Sequence, residues 1–292
     1  MQHNSLIHLI SGGIGGTTAA ILTCPLEVVK TRLQSSYLSK PYSSIEGQSN
    51  RSPGLMRILS HIVKTEGVGG LFKGVGPTLV GVIPSRAIYF GMYAKSKNFY
   101  NNIFSYETPL VHGFSAFTAG VLSSTLTNPI WFIKTRIQLN KSNLTISNCV
   151  KTTLKNDGVR SFFKGVTASY YGLIETAINF VLYEHFKKKF EINHSNLNLT
   201  FKDGSIFLFC TLVSKSIASC IGYPHEVART RIRERGNHYK SFWPTLYKVA
   251  HEEGFHVLYR GLSTHLIRNI PNTLIIMSTY EMCVHFFYKK TN

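Results

Sequence analysis

The sequence predicts an all-α membrane protein, with six transmembrane helices arranged as three repeats. Three observations carry that expectation. Six stretches of 18 to 26 residues are nearly free of charge, basic residues crowd into alternate connections, and one proline–acid–base pattern recurs three times. Of the 292 residues only 16% are Asp, Glu, Lys or Arg, against about 25% in an ordinary soluble domain. The 43% hydrophobic content excludes a disordered chain. Five scattered cysteines (Cys24, Cys149, Cys210, Cys220, Cys283) form no disulfide framework. The charge is lopsided, 32 Lys+Arg against 14 Asp+Glu, which admits a basic nucleic-acid binder or a membrane protein with basic loops.

The stretches are, in order, Leu9–Leu26, Gly74–Ala94, Thr108–Ile133, Gly165–Tyr183, Gly204–His225 and Leu262–Tyr280. The first and third hold no charged residue, and the others hold one each: Arg86, Glu175, Lys215 and Arg268. Each is long enough to cross about 30 Å of hydrocarbon as a helix. Their Gly, Ser, Thr and Ala content suits helices packed on helices, as at Gly12-x-x-x-Gly16. Residues 30–73, 134–164 and 229–260 carry seven basic residues each, 21 of the 32, all between an odd stretch and the next even one. They therefore share one side. By the positive-inside rule those loops face the interior compartment and both termini face out. A nucleic-acid binder needs a basic face on a soluble domain, so no nucleic-acid partner is expected. Met1–Asn4 holds no Lys or Arg, and targeting information is expected to be internal.

The repeat is explicit. Pro25-Leu26-Glu27-Val28-Val29-Lys30-Thr31-Arg32 returns as Pro129-Ile130-Trp131-Phe132-Ile133-Lys134-Thr135-Arg136 and as Pro224-His225-Glu226-Val227-Ala228-Arg229-Thr230-Arg231. A second element follows each: Glu66-Gly67 to Phe72-Lys73-Gly74, Asp157-Gly158 to Phe163-Lys164-Gly165, and Glu253-Gly254 to Tyr259-Arg260-Gly261. A proline inside a membrane helix kinks it, so Pro25, Pro129 and Pro224 are expected to draw three helices together at equal depth. Acid and base three residues apart then share one helical face.

These six half-motifs resemble the signature of the mitochondrial carrier family over nearly the whole chain. The resemblance implies six tilted helices in pseudo-threefold repeats (residues 1–105, 106–197 and 198–292, one structural domain). It places a short matrix-side amphipathic helix near residues 52–64, 146–156 and 241–252. It further implies a monomer in the mitochondrial inner membrane, termini towards the intermembrane space, with membrane lipid such as cardiolipin at the matrix-side helix ends. In the family each motif acid bridges the base of the next repeat and closes a matrix gate. Carried over, Glu27 pairs with Lys134 and Glu226 with Lys30. Arg229 meets position 131, where Trp131 removes one link. Gln34 and Gln138 match the bracing glutamines beneath this gate, and the third repeat has Arg233. The cytoplasmic gate is complete in Tyr183-Glu184-His185-Phe186-Lys187. Repeat one supplies Tyr93 and Lys97, and repeat three supplies Tyr280 and Glu281. The implied pairs are Lys97 with Glu184 and Lys187 with Glu281, while Ala94 and Val284 replace both ends of the third.

Charges at membrane depth are functional candidates. Lys215 lies eleven residues before Glu226, and Arg86 eleven before Lys97, about three helical turns, so each shares the inward face of its gate residue. With Arg268 and Glu175 the interior is net positive, which wants an anion, and arginine's planar fork suits phosphate. The resemblance puts substrate contacts midway along the even helices, at Gly81-Val82, at Gly172-Leu173 with Glu175, and at Arg268-Asn269. Gly172-Leu173 offers a flat slot for a nucleobase, or else Gly172 serves helix packing. Asn128-Pro129-Ile130-Trp131 and Tyr223-Pro224-His225-Glu226 resemble the branch that contains the pyrimidine nucleotide carriers. The implied activity is exchange of UTP, CTP or dTTP by alternating access, with folate, FAD or another nucleotide cofactor as the alternative cargo. His251 and His256, five apart, share no helix face for a metal, and Gly12–Gly16 lacks the lysine of a phosphate loop. No catalytic constellation, cofactor or metal is expected.

Overall fold

A computed structural model describes residues 2–36, 54–104, 108–140, 144–189, 201–236 and 239–291. The described residues are helical with no strand. In chain order the helices are α1 (Gln2–Leu22), α2 (Cys24–Gln34), α3 (Leu55–Glu66), α4 (Val75–Asn101), α5 (Pro109–Leu139), α6 (Ile146–Asp157), α7 (Val166–Lys189), α8 (Phe201–Arg233), α9 (Phe242–Glu252) and α10 (Leu262–Thr291). Each repeat thus runs long helix, short helix, long helix. The three short helices fall where the sequence places them, although residues 52 and 53 lie outside the described residues.

A short 3₁₀ turn follows each short helix (Val68–Phe72, Val159–Phe163, Phe255–Tyr259). Two glycines frame every such turn in the left-handed region. Gly67, Gly158 and Gly254 have φ of 74°, 72° and 95°, and Gly74, Gly165 and Gly261 have 92°, 79° and 86°. A side chain there is strained, which is why the motif fixes glycine at both ends of the turn.

The last long helix of each repeat packs on the first long helix of the following repeat: α4 on α5, α7 on α8, and α10 back on α1. The ring is closed by that last contact. Odd helices meet one another at their proline ends, where α2 touches α5 and α8, and α5 touches α8. Pro25 accompanies a true break, since the axes of Ser11–Leu22 and Cys24–Gln34 differ by 61°. Pro129 and Pro224 are carried inside the continuous helices α5 and α8. The three prolines are therefore equivalent in sequence but not in helix continuity.

The short helices seal the outside of this end. In α3, Ile58 and Ile62 are buried against Cys24, Val28, Val29 and Leu33 of α2. In α9, Phe242 packs with Ala168 and Ala228 and stacks on Tyr171 at 4.1 Å.

By length and hydropathy, Ile206–Arg233 (mean hydropathy 1.6 over its 18-residue apolar stretch) is the one described helix apolar enough to cross a membrane alone, and the bent pair α1–α2 meets the same mark together. The remaining long helices fall below it because Gly, Ser, Thr and inward polar residues dilute them. At the α1–α10 contact the close glycine is Gly15, where a Cβ would stand 3.0 Å from the Ile276 carbonyl oxygen. Gly12 and Gly16 have open space instead, so the close approach is displaced from the expected Gly12-x-x-x-Gly16 pair.

Candidate functional site

The convergence of α2, α5 and α8 places the motif side chains around the axis. The Lys134 ammonium bonds to Glu27, and Lys30 Nζ lies 2.5 Å from Glu226 Oε2. Both contacts link an acid to the base of the next repeat. At the third arm Trp131 turns its indole N–H to Thr127 Oγ1 (3.1 Å), and its ring lies 5.0 Å from the Lys134 ammonium. Arg229 forms no ion pair among the described residues.

Beneath the acids lies a layer of cross-repeat hydrogen bonds. Thr31 donates to Gln138 Oε1 (3.0 Å), and Thr230 donates to Gln34 Oε1 (2.8 Å). Gln34 Nε2 in turn reaches Tyr223 Oη and Glu226 Oε2 at 3.0 and 3.3 Å. Where the third glutamine would stand, Arg233 is buried and donates to Asn128 Oδ1 (2.6 Å) and to Thr135 Oγ1 (3.4 Å). Arginine therefore completes the layer through longer reach and an extra acceptor on Asn128.

A further ring emerges that side-chain spacing did not announce. Arg32, Arg136 and Arg231, the last bases of the motif, each bind the acid of their own second element. Arg32 holds Glu66 at 2.6 and 2.8 Å, Arg136 holds Asp157 at 2.6 Å, and Arg231 holds Glu253 at 2.8 and 2.7 Å. The same three donate Nε–H to a carbonyl at the end of the next odd helix. The acceptors are Gln138 (3.0 Å), Arg233 (3.3 Å) and Gln34 (2.8 Å), respectively. Helix-terminal carbonyls lack an intrahelical donor, and these arginines supply one. Burial works against the Glu66 charge, but contacts to Arg32 and to Lys73 (2.6 Å) outweigh it and hold the carboxyl below its usual range.

The network lines a cavity of about 230 Å³. Its charged lining is Lys30, Lys134, Arg229, Arg233 and Arg268 against Glu27 and Glu226. Arg268, from α10, donates to Glu27 Oε2 (3.0 Å) and to Thr23 Oγ1 (3.2 Å). A second chain leads from the network to mid-helix. Lys30 Nζ lies 2.7 Å from His265 Nδ1, and an ammonium only donates, so Nδ1 accepts and the ring proton sits on Nε2. Nε2–H then faces Ser219 Oγ at 3.2 Å, and Ser219 donates to Glu175 Oε1 at 2.9 Å. All the donors point towards Glu175.

The other candidates are placed as follows. A Cβ on Gly172 would stand 3.0 Å from His225 Nε2, and Leu173 closes on Gly120 of α5, so this pair is engaged in helix contacts. Lys215 is half-buried on α8, and Arg86 is exposed on α4. At the opposite end, Tyr93 Oη bonds His112 Nδ1 (2.7 Å), Tyr183 sits edge-on to Phe207 (5.8 Å), and Tyr280 is half-buried on α10. Glu184, Lys187 and Glu281 make no ion pair among the described residues, and Lys97 is half-buried on α4. Among the described residues, the acid–base pairs of the motif acids Glu27 and Glu226 are at the proline end.

The family described as "Mitochondrial carrier protein" matches residues 2–104, 105–194 and 206–291. The chain is 48% identical to solute carrier family 25 member 36-A of Danio rerio, covering 97% of this chain and 98% of that one. It is 44% identical to the human solute carrier family 25 member 33, covering 99% and 98%. It is 36% identical to the mitochondrial pyrimidine nucleotide transporter RIM2 of Saccharomyces cerevisiae, covering 95% and 85%. Three matched segments spanning nearly the whole sequence, on a ring of three helical repeats, make this chain a member of the mitochondrial carrier protein family.

Proposed function

We propose that this chain is a mitochondrial inner-membrane carrier that exchanges pyrimidine nucleotides of the UTP, CTP and dTTP type. The observation that carries the reading is the axial cavity, lined by five cations and two acids at the meeting point of all three repeats. Such a site takes a polyanion small enough to pass between helices. Likeness to a relative named as a pyrimidine nucleotide transporter supports the choice of base. Transport is a binding and conformational event with no bond chemistry, so no catalytic residue is assigned.

In this reading the six long helical segments span the bilayer, with the loops carrying α3, α6 and α9 on the matrix side and both termini towards the intermembrane space. The Glu27–Lys134 and Glu226–Lys30 pairs, braced by Gln34 and Gln138, are the closed matrix gate. Lys97, Glu184, Lys187 and Glu281, with Tyr183 and Tyr280, form the cytoplasmic gate when the other opens. Ligand binding biases which gate closes. Arg86, Lys215 and Arg268 bind phosphate, and Glu175 borders the base beside Gly172 and Leu173, which hold α7 against α8 and α5. The three repeats act as one domain in a monomer. A second cavity of about 330 Å³, between Leu55 at the start of α3 and Arg260 and Ser263 at the start of α10, supports anionic lipid there, cardiolipin included.

The test is uptake of labelled UTP and CTP into liposomes holding the purified protein and unlabelled nucleotide. Block by UTP or CTP but not by ATP, FAD or folate is the expected result. Inhibition by FAD or folate without pyrimidine uptake would transfer the chain to that alternative cargo.

A further inference from the structure

Arg229 is the cavity cation whose guanidinium has no side-chain partner among the described residues. Lys30 has Glu226, Lys134 has Glu27, Arg268 has Glu27 and Thr23, and Arg233 has Asn128 and Thr135. Arg229 lines the same cavity, and its Nε, like that of Arg233, is buried with no hydrogen-bond partner, but unlike Arg233 its guanidinium makes no hydrogen bond or ion pair among the described residues. The nearest acid along its helix, Glu226, one turn earlier, is already held by Lys30 and Gln34. The ring explains the vacancy. Position 131 faces Arg229 by the rule that joins Glu27 to Lys134 and Glu226 to Lys30, and Trp131 brings an indole that is committed to Thr127 and Lys134.

A half-buried guanidinium whose nearest acid, Glu226, is already held by Lys30 and Gln34 is under-compensated, and it gains most from an anion that arrives with the ligand. Arg268 differs in this respect, because Glu27 must release it first. We infer that Arg229 is an anion subsite at the cavity floor that takes the terminal phosphate of a nucleoside di- or triphosphate, and that Trp131 keeps the subsite open by withholding the acid that would fill it. This rests on the nucleotide-carrier reading and deepens it, making Arg229 the residue that discriminates phosphate number. Planar paired donors fit two phosphate oxygens, whereas a monophosphate held higher in the cavity leaves the floor untouched.

The experiment compares UTP and UMP as competitors of labelled UTP uptake in liposomes, with nucleotide-dependent rise in unfolding temperature of the detergent-solubilised protein as second readout. Arg229→Gln is expected to shrink the UTP-over-UMP preference about tenfold, the size of one lost charged hydrogen bond, while leaving UMP binding unchanged. Trp131→Asp is expected to do the same with Arg229 intact, because the new carboxylate occupies it. A structural role for Arg229 predicts the opposite for Trp131→Asp, a restored link with unchanged preference. Equal loss of UTP and UMP in Arg229→Gln, or an unchanged ratio in Trp131→Asp, overturns the inference. Variants that fail to transport are decided by the thermal readout with the same two nucleotides. Wild-type protein that takes up no pyrimidine nucleotide removes the carrier reading instead, and the subsite with it.

Discussion

Arg268 Nη2 and Lys134 Nζ share the carboxylate of Glu27, one on each oxygen. The arginine comes from the last helix and the lysine from the second repeat, so a single acid ties all three repeats at the cavity. A phosphate that draws Arg268 away changes the company of the gate acid directly. Arg268→Ala is therefore expected to lower nucleotide uptake at least about tenfold while the protein still inserts and purifies normally. Reconstituted uptake together with detergent extraction checks this, and normal transport would remove Arg268 from the substrate path.

The arginine–acid ring should govern stability more than transport. Glu253→Gln leaves Arg231, which is 1% exposed, without its carboxylate. The expected loss is about 2–3 kcal/mol, less than the ~3–5 kcal/mol of a fully buried pair because the Glu253 side chain is 22% exposed. A fall of several degrees in unfolding temperature is the measurement, with Glu281→Gln at the opposite end as the control that should not move.

Acid should weaken the same ring in a defined direction. Glu66 is held below its ordinary value, so its contribution is complete above the unfolded glutamate value, about 4.3, and is lost as pH falls through the lower folded value. Unfolding temperature measured across that range should decline less steeply in Glu66→Gln than in the native protein. Parallel curves would show that Glu66 is not the group responsible.

The far gate offers a gain-of-contact test. Ala94→Glu together with Val284→Lys supplies both missing partners of the third pair. An exposed ion pair contributes at most about 1 kcal/mol, so exchange should slow by up to about fivefold. Either single change should have less effect than the two together, which a double-mutant comparison of uptake rates resolves.

Much of this was legible because repetition does the reading. The spacing put Glu27 with Lys30 and Glu226 with Arg229 on one helical face each, and the resemblance to the carrier family supplied the pairing of Glu27 with Lys134 and of Glu226 with Lys30. The short helices too came from the family resemblance, which set them in the three long connections. Arg32, Arg136 and Arg231 were conspicuous in threefold, but half of what they bind is main-chain carbonyl, and no side-chain pattern marks a helix-terminal oxygen. His265 and Ser219 escaped because a lone histidine on an apolar helix has no signature, and its role depends on Lys30, 235 residues away. Gly15 escaped because which of several adjacent glycines meets a neighbour is set by helix rotation.

The arginine-to-carbonyl contacts run from repeat one to two, two to three, and three to one. A stacked array of repeats has two ends and needs specialised caps there. A closed circuit has none, so each repeat serves as its neighbours' cap. Deleting one does not shorten the assembly: it opens the circuit and leaves a buried arginine Nε–H facing no carbonyl and a helix terminus facing no donor. Conversely, a chain whose start is moved from the first repeat to the second keeps every such contact, so which unit is synthesised first is free, but their cyclic order and number are not.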